Sequence, residues 1–221
     1  MEWVGKAMWH WAAFAFALVL SSAASAPANA ETINIVAFGD SGVFGSGQGR
    51  TRGGVPVEEA YPAKLEHALR ARGWDVAVSN QGVRGATARN AVYTVDRSIP
   101  PLTKLTIIQF GNNDRNLLLA SADDIARSLD EIIRRVRAKG SAVNLVREWS
   151  PGDAAAFAAV EQSADSFVTW YSDVNYGGKL RPEYDSGDHA HLNAAGTDVI
   201  AARAVPDVER LLMRLGSRPS R

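Results

Sequence analysis

The sequence predicts an α/β fold: a three-layer α/β/α domain with a five-stranded parallel sheet covered by helices on both faces. Three observations carry that expectation. Strand-like and helix-like stretches alternate five times along the chain, the order that builds parallel sheets from crossover units. The first strand-like stretch, 32–38, is β-branched and apolar with hardly a polar break, as in a strand buried on both faces. The clearest helix-like stretches carry a single apolar stripe, the pattern of a layer packed on a sheet.

The first 30 residues stand apart from this pattern. Lys6 precedes an almost uncharged apolar run over 9–20, and small residues lead to Ala28-Asn29-Ala30, the pattern of a secretory signal peptide cleaved after Ala30. The unbroken run over 11–20 is too short for the ~20 residues that span a bilayer, so no stable membrane anchor is expected after cleavage. The expected organisation is a signal peptide over 1–30 and a single domain over 31–221, periplasmic or secreted. Lys and Arg number 24 against 24 Asp and Glu, a neutral balance that gives no reason to expect a nucleic-acid partner. The chain has no cysteine, which excludes disulfides, thiolate metal sites and cysteine nucleophiles.

Residues 32–38 form the first expected strand. The loop over 39–54 has seven glycines and leads to Val55-Pro56; no Gly-Lys-Ser/Thr follows, so it is not a phosphate cradle. A helix is expected over 61–72, with Pro62 in its first turn and Tyr61, Leu65, Ala68 and Leu69 on one face. His67 then faces solvent. A short strand over 75–79 is followed by a turn over 80–87 and a helix over 88–96, which Pro100-Pro101 closes off. The third strand covers 104–110 and ends at Gly111-Asn112-Asn113-Asp114.

Ile125, Leu129, Ile132, Ile133 and Val136 repeat at helical spacing, and Gly140 ends that helix. Asp123 with Arg127, Asp130 with Arg134, and Glu131 with Arg135 are acid-before-base pairs four apart on its outer face. A fourth strand is expected over 142–146. Ser150-Pro151 reads as a cap and first position of a helix carrying Phe157 and Val160, and a fifth strand over 167–171 follows. Residues 173–191 show no period. Asn193 caps a last helix that Pro206 must kink or restart, and the chain frays after Gly216.

In a sheet of this kind ligands bind beyond the carboxyl ends of the strands. Ser41, Gly85 and Asn113 follow three successive strands at that end, so they should share one rim. A serine becomes a nucleophile only when a neighbouring base takes its proton. After the leader the chain offers His67, which faces solvent, and the pair in Asp188-His189-Ala190-His191. Asp188 and His191 are three apart, a spacing that lets one turn bring the carboxylate to the imidazole and fix its tautomer. Acyl transfer also needs donors for a developing oxyanion: the N–H groups of Ser41 and Gly85 and the Asn113 side-chain amide are the candidates.

Taken together, Gly39-Asp40-Ser41, the 80–87 turn, Gly111-Asn112-Asn113-Asp114 and Asp188-His189-Ala190-His191 resemble the SGNH hydrolases, the GDSL esterase and lipase superfamily. The likeness covers essentially all of 31–221 and is greatest to the bacterial periplasmic thioesterase, lysophospholipase and arylesterase branch. It implies a flavodoxin-like sheet, a Ser41, His191 and Asp188 triad, an oxyanion hole of Ser41, Gly85 and Asn113, and small-molecule ester substrates without metal or other cofactor. Carbohydrate O-acetylesterase or acyltransferase activity, or a non-catalytic exported binding module, are the alternatives. Gly42 departs from that branch, which usually has a bulky aliphatic residue there.

Asp185, Asp188, His189 and His191 are also acceptable ligands for a divalent metal, an alternative that leaves Ser41 and Asn113 without a role. Of the aromatic residues Phe44, Trp149, Trp170, Tyr176 and Tyr184, most are expected to pack in the core. Gly42, Phe44 and Tyr176 are the candidates for the substrate groove.

Overall fold

A computed structural model describes residues 31–220 except 48, 51, 149, 150 and 177; the leader expected over 1–30, Trp149 and the Ser150 cap lie outside the described residues. Five strands, β1 (Ile33–Gly39), β2 (Val76–Gly82), β3 (Thr103–Gln109), β4 (Ala142–Val146) and β5 (Ser166–Val168), pair in parallel in the order β2-β1-β3-β4-β5. The order reverses at β1, so the crevice beyond the carboxyl ends of β1 and β3 is the switch point where such sheets bind ligands.

The helices are α1 (Ser41–Phe44), α2 (Tyr61–Ala71), α3 (Ala88–Ala91), α4 (Val95–Ser98), α5 (Asn112–Leu118), α6 (Ala122–Ala138), α7 (Ala154–Ser163) and α8 (Ala194–Arg214). Alternate residues of each central strand enter opposite cores, because successive side chains of a strand point to opposite faces. Ile35, Ala37, Leu105 and Ile107 join Leu65, Leu69, Val208 and Leu212 beneath α2 and α8. Val36, Phe38, Ile108, Val143 and Leu145 join Ala88, Ile125, Leu129, Ile132 and Phe157 beneath α3, α6 and α7. The result is the three-layer arrangement expected.

Departures from the expected elements have identifiable causes. β2 runs on to Gly82 through polar Asn80 and Gln81, because Ala37, Phe38 and Gly39 pair with those three residues; tertiary pairing outweighs a polar sequence. The helix expected over 88–96 is two single turns, and the Val92 carbonyl at the break accepts a hydrogen bond from Arg135 of α6. Residues 112–118, to which no element was assigned, form α5. β5 is short, and Trp170–Asp173 is a 3-10 turn. Pro206 neither ends nor restarts α8, which runs unbroken past it with Val205, Val208, Leu211 and Leu212 buried; that burial offsets the ~3 kcal/mol a proline costs inside a helix.

On α6 the partners differ from the four-apart pairing. Arg127 meets Asp124, Arg134 meets Glu131, and Arg135 reaches across to Asp96. The last residues are also tied down, with the Ser220 N–H donating to the Gly73 carbonyl at 2.6 Å.

Candidate active site

β1 ends at Gly39, where a side chain would collide with Val43 at 2.3 Å. The chain then turns into α1, capped by Asp40, whose Oδ1 accepts the Gly42 N–H at 2.8 Å. Ser41 therefore stands at the first position of a one-turn helix at the carboxyl edge of the sheet. The imidazole comes from the other end of the chain, 150 residues away. The 185–192 turn is closed by a bridge between Asp185 and Leu192 and by the Ser186 N–H donating to the His191 carbonyl at 3.0 Å.

Within that turn Asp188 Oδ1 accepts from the N–H groups of Ala190 at 3.0 Å and His191 at 2.8 Å, and from Ser186 Oγ at 3.2 Å. Asp188 Oδ2 lies 2.6 Å from His191 Nδ1, and His191 Nε2 lies 2.9 Å from Ser41 Oγ. Partial burial pushes the Asp188 carboxyl up, but the His191 ring and the backbone donors outweigh it and hold the acid at about 2. An ionised Asp188 assigns the proton to Nδ1, which leaves Nε2 as acceptor for the Ser41 hydroxyl.

Gly85 sits at φ 72°, a left-handed conformation that glycine adopts without strain. The Asn113 Nδ2 donates to the Ala86 carbonyl at 2.9 Å and to Asp40 Oδ2 at 3.2 Å. Asn113 is thus held between the neighbour of Gly85 and the neighbour of Ser41, and the sheet edge brings all three residues to one rim. Asp114, next along, pins α3 by accepting from the N–H groups of Ala88 at 2.7 Å and Arg89 at 3.1 Å.

Beneath Gly42 lies a polar cluster that the sequence did not announce. Gln109 Nε2 donates to Glu148 Oε1 at 2.8 Å and to the Tyr171 hydroxyl at 2.9 Å. A Cβ at position 42 would stand 2.6 Å from Gln109 Nε2 and 3.1 Å from the Tyr171 oxygen. Gly42 is required here because that cluster fills the space an aliphatic side chain would take. The signal available was the rule that selected Ser41: Gln109 ends β3 and Glu148 follows β4, both polar residues at carboxyl ends of apolar strands.

Burial raises the Asp40 carboxyl well above the usual range, and Glu148 nearby adds to the effect; burial likewise raises Glu148. A folded pKa above the unfolded one means the unfolded chain loses its proton first, so stability falls as pH rises from about 4 toward the folded value. Glu148→Gln, which keeps a neutral acceptor for Gln109, is expected to raise the melting temperature at pH 8, by about 2–4 °C per kcal/mol relieved. The gain should shrink toward pH 4. A gain that is equal across that range would mean the carboxyl ionises equally in both states.

The groove candidates part company. Phe44 closes α1, with the Arg84 guanidinium 4.0 Å from its ring centroid. Tyr176 is 80% exposed on a hairpin formed by β6 (Asn175–Tyr176) and β7 (Lys179–Leu180), with no described contact to the serine. Trp170 is buried against Tyr61 as expected. A further contact was not foreseen: a Cβ on Gly53 would lie 2.5 Å from Asp188 Cγ, so the glycine-rich loop packs directly on the carboxylate.

Asp185 and His189 form a separate pair at 2.6 Å, which steadies His189 at φ 60°. Asp185 is held low chiefly by the Gly187 N–H. Among the described residues no group of three or more His, Asp or Glu side chains converges to hold a metal ion.

Residues 37–199 match the model of the GDSL-like lipase/acylhydrolase family. No curated protein sequence matches the chain. Among solved structures it is similar to TesA, at 21% identity and a TM-score of 0.66 over 81% of this chain and 99% of that one. AlinE4, an SGNH-hydrolase family esterase, is 26% identical with a TM-score of 0.59 over 84% of this chain and 99% of that one. The psychrotrophic esterase EstA from Pseudoalteromonas sp. is 16% identical with a TM-score of 0.63 over 81% of this chain and 98% of that one. TesA and EstA, at these identities, speak for the fold.

Proposed function

Because this chain belongs to the GDSL-like lipase/acylhydrolase family and is a carboxylic ester hydrolase, we propose that it cleaves small esters through an acyl-enzyme on Ser41. The observation that carries the proposal is the relay in which His191 lies 2.9 Å from Ser41 Oγ and 2.6 Å from Asp188. Ser41 Oγ attacks the ester carbonyl carbon while its proton passes to His191 Nε2. Asp188 stabilises the imidazolium. The tetrahedral oxyanion is met by the N–H groups of Ser41 and Gly85 and by the Asn113 amide.

His191 then gives its proton to the departing alcohol as the ester bond breaks. Water, deprotonated by the same nitrogen, attacks the acyl carbon; the bond from that carbon to Ser41 Oγ then breaks as Nε2 returns the proton to Ser41, releasing the acid and the free enzyme. Every proton transfer in this cycle passes through Nε2, and none calls for a metal. We further assign residues 1–30 as an export leader removed after Ala30, which places the enzyme outside the cytoplasm.

The test is covalent. A fluorophosphonate should label the protein stoichiometrically, and peptide mass spectrometry should find the adduct on Ser41; labelling elsewhere, or none, removes the proposal. Prolonged dialysis against EDTA is expected to leave p-nitrophenyl ester hydrolysis unchanged. Activity lost to EDTA and restored by a divalent cation would transfer the chemistry to a metal.

A further inference from the structure

Arg84 is the residue before the proposed oxyanion donor Gly85, and its side chain is fixed rather than free. The guanidinium stacks on Phe44 at 4.0 Å and donates from Nε and Nη2 to Ser46 Oγ at 3.3 and 3.0 Å. Phe44 is three residues beyond Ser41 on α1, a spacing that brings side chains to about 5–6 Å between Cβ atoms. The Arg84 backbone is anchored there too: the Val83 N–H donates to the Gly39 carbonyl at 3.0 Å. A cation is thereby mounted on the same turn of chain that presents the nucleophile.

Among the described residues no ion pair involves Arg84, whereas Arg70, Arg72, Arg115, Arg134, Arg135 and Arg137 elsewhere in the chain each have one. A guanidinium has five N–H groups in a planar fork, and Ser46 takes two, leaving three with no acceptor among the described residues. The loop that supplies Ser46 also carries Arg50 and Arg52, both exposed and without a described ion pair, and Arg52 adjoins Gly53 where it rests on Asp188. A planar fork held in place and left unpaired is suited to bidentate capture of a carboxylate or phosphate.

We infer that Arg84 is a specificity determinant that selects esters bearing an oxyanionic group, a carboxylate or a phosphate, beside the scissile bond. The inference rests on the esterase proposal above and adds the substrate class. The anion binds the Nη edge of the guanidinium that Ser46 leaves open, Phe44 and Ser46 hold the fork in place, and the ester carbonyl is left to the oxyanion donors. Binding energy from a remote charged group thus orients the reacting carbon.

Two pairs of substrates test it, each differing by one charge. On the acyl side, the p-nitrophenyl half-ester of succinic acid is compared with its methyl diester; on the alcohol side, an acyl glycerol phosphate is compared with the monoacylglycerol of the same chain. The wild type should prefer the anionic member of at least one pair by about ten- to a hundredfold in kcat/KM, the range of a charge-assisted pair. The preference should shrink in 1 M NaCl as the charges are screened.

Arg84→Gln should bring that ratio close to one, and Arg84→Lys should retain part of it. Whichever pair responds identifies the side of the ester that carries the charge. Ratios near one in both pairs for the wild type overturn the inference while leaving the esterase proposal intact. So does an Arg84→Gln variant with an unaltered ratio, which is also what a merely structural arginine would give by slowing both members equally. Failure to cleave any of the four esters would overturn both.

Discussion

Ser41→Ala is expected to lower kcat for p-nitrophenyl esters by ~10⁴- to 10⁶-fold, the scale on which removal of an activated serine nucleophile is felt. The melting temperature should move little, because the Ser41 hydroxyl makes one described side-chain hydrogen bond, to His191. Activity that survives will be slow background supported by binding and the oxyanion donors, and no acyl-enzyme will accumulate. Rapid-quench assays alongside thermal melts read both quantities. Hydrolysis at the wild-type rate would remove Ser41 from the chemistry altogether.

Asp188→Asn should reduce kcat by about 10⁴-fold at neutral pH with little change in KM. An asparagine amide turned toward Nδ1 favours the other imidazole tautomer, so Nε2 would carry the proton and face Ser41 as a donor. The wild-type carboxyl, held at about 2, stays ionised across the pH range of any assay, so the acid limb of the rate profile is not its own. Its folded pKa lies below the unfolded ~3.9, so its contribution to stability is present above about pH 4 and lost as pH falls toward 2. The variant should therefore keep more of its stability than the wild type between pH 4 and 2. A wild-type rate for Asp188→Asn would leave His191 oriented by something other than this carboxylate.

Much of the scaffold was readable before any coordinates. The apolar run before Ser41, the stripe of Ile125, Leu129, Ile132 and Ile133, and the cap at Asn193 are local signals, and each element formed where those signals stood. The elements that differed answer to neighbours far along the chain. Asn80 and Gln81 are polar, yet they extend β2 because β1 offers them a ladder. The single helix expected over 88–96 divides where Arg135, more than 40 residues later, takes the Val92 carbonyl.

The same division runs through the site. Ser41, Gly85, Asn113, Asp188 and His191 could be named from short motifs because each motif is a turn whose residue types are set by local backbone geometry. Gln109, Glu148 and Tyr171 belong to no motif; they become a unit because β3, β4 and the turn after β5 end at one edge of the sheet. Gly53 on Asp188 and Arg84 on Phe44 are likewise contacts between segments that only folding brings together. Even Gly42, conspicuous in the sequence, was explained only when Gln109 Nε2 was found where its Cβ would be.

By itself, then, the sequence determined the layered fold and the chemical groups at its rim, since periodicity and turn chemistry are properties of neighbouring residues. The tertiary structure alone decided how those groups are packed, desolvated and charged. Burial of Asp40 and Glu148, the steric demand at Gly42 and the stacking of the Arg84 guanidinium on Phe44 depend on distances between residues remote in the chain, which no local pattern records.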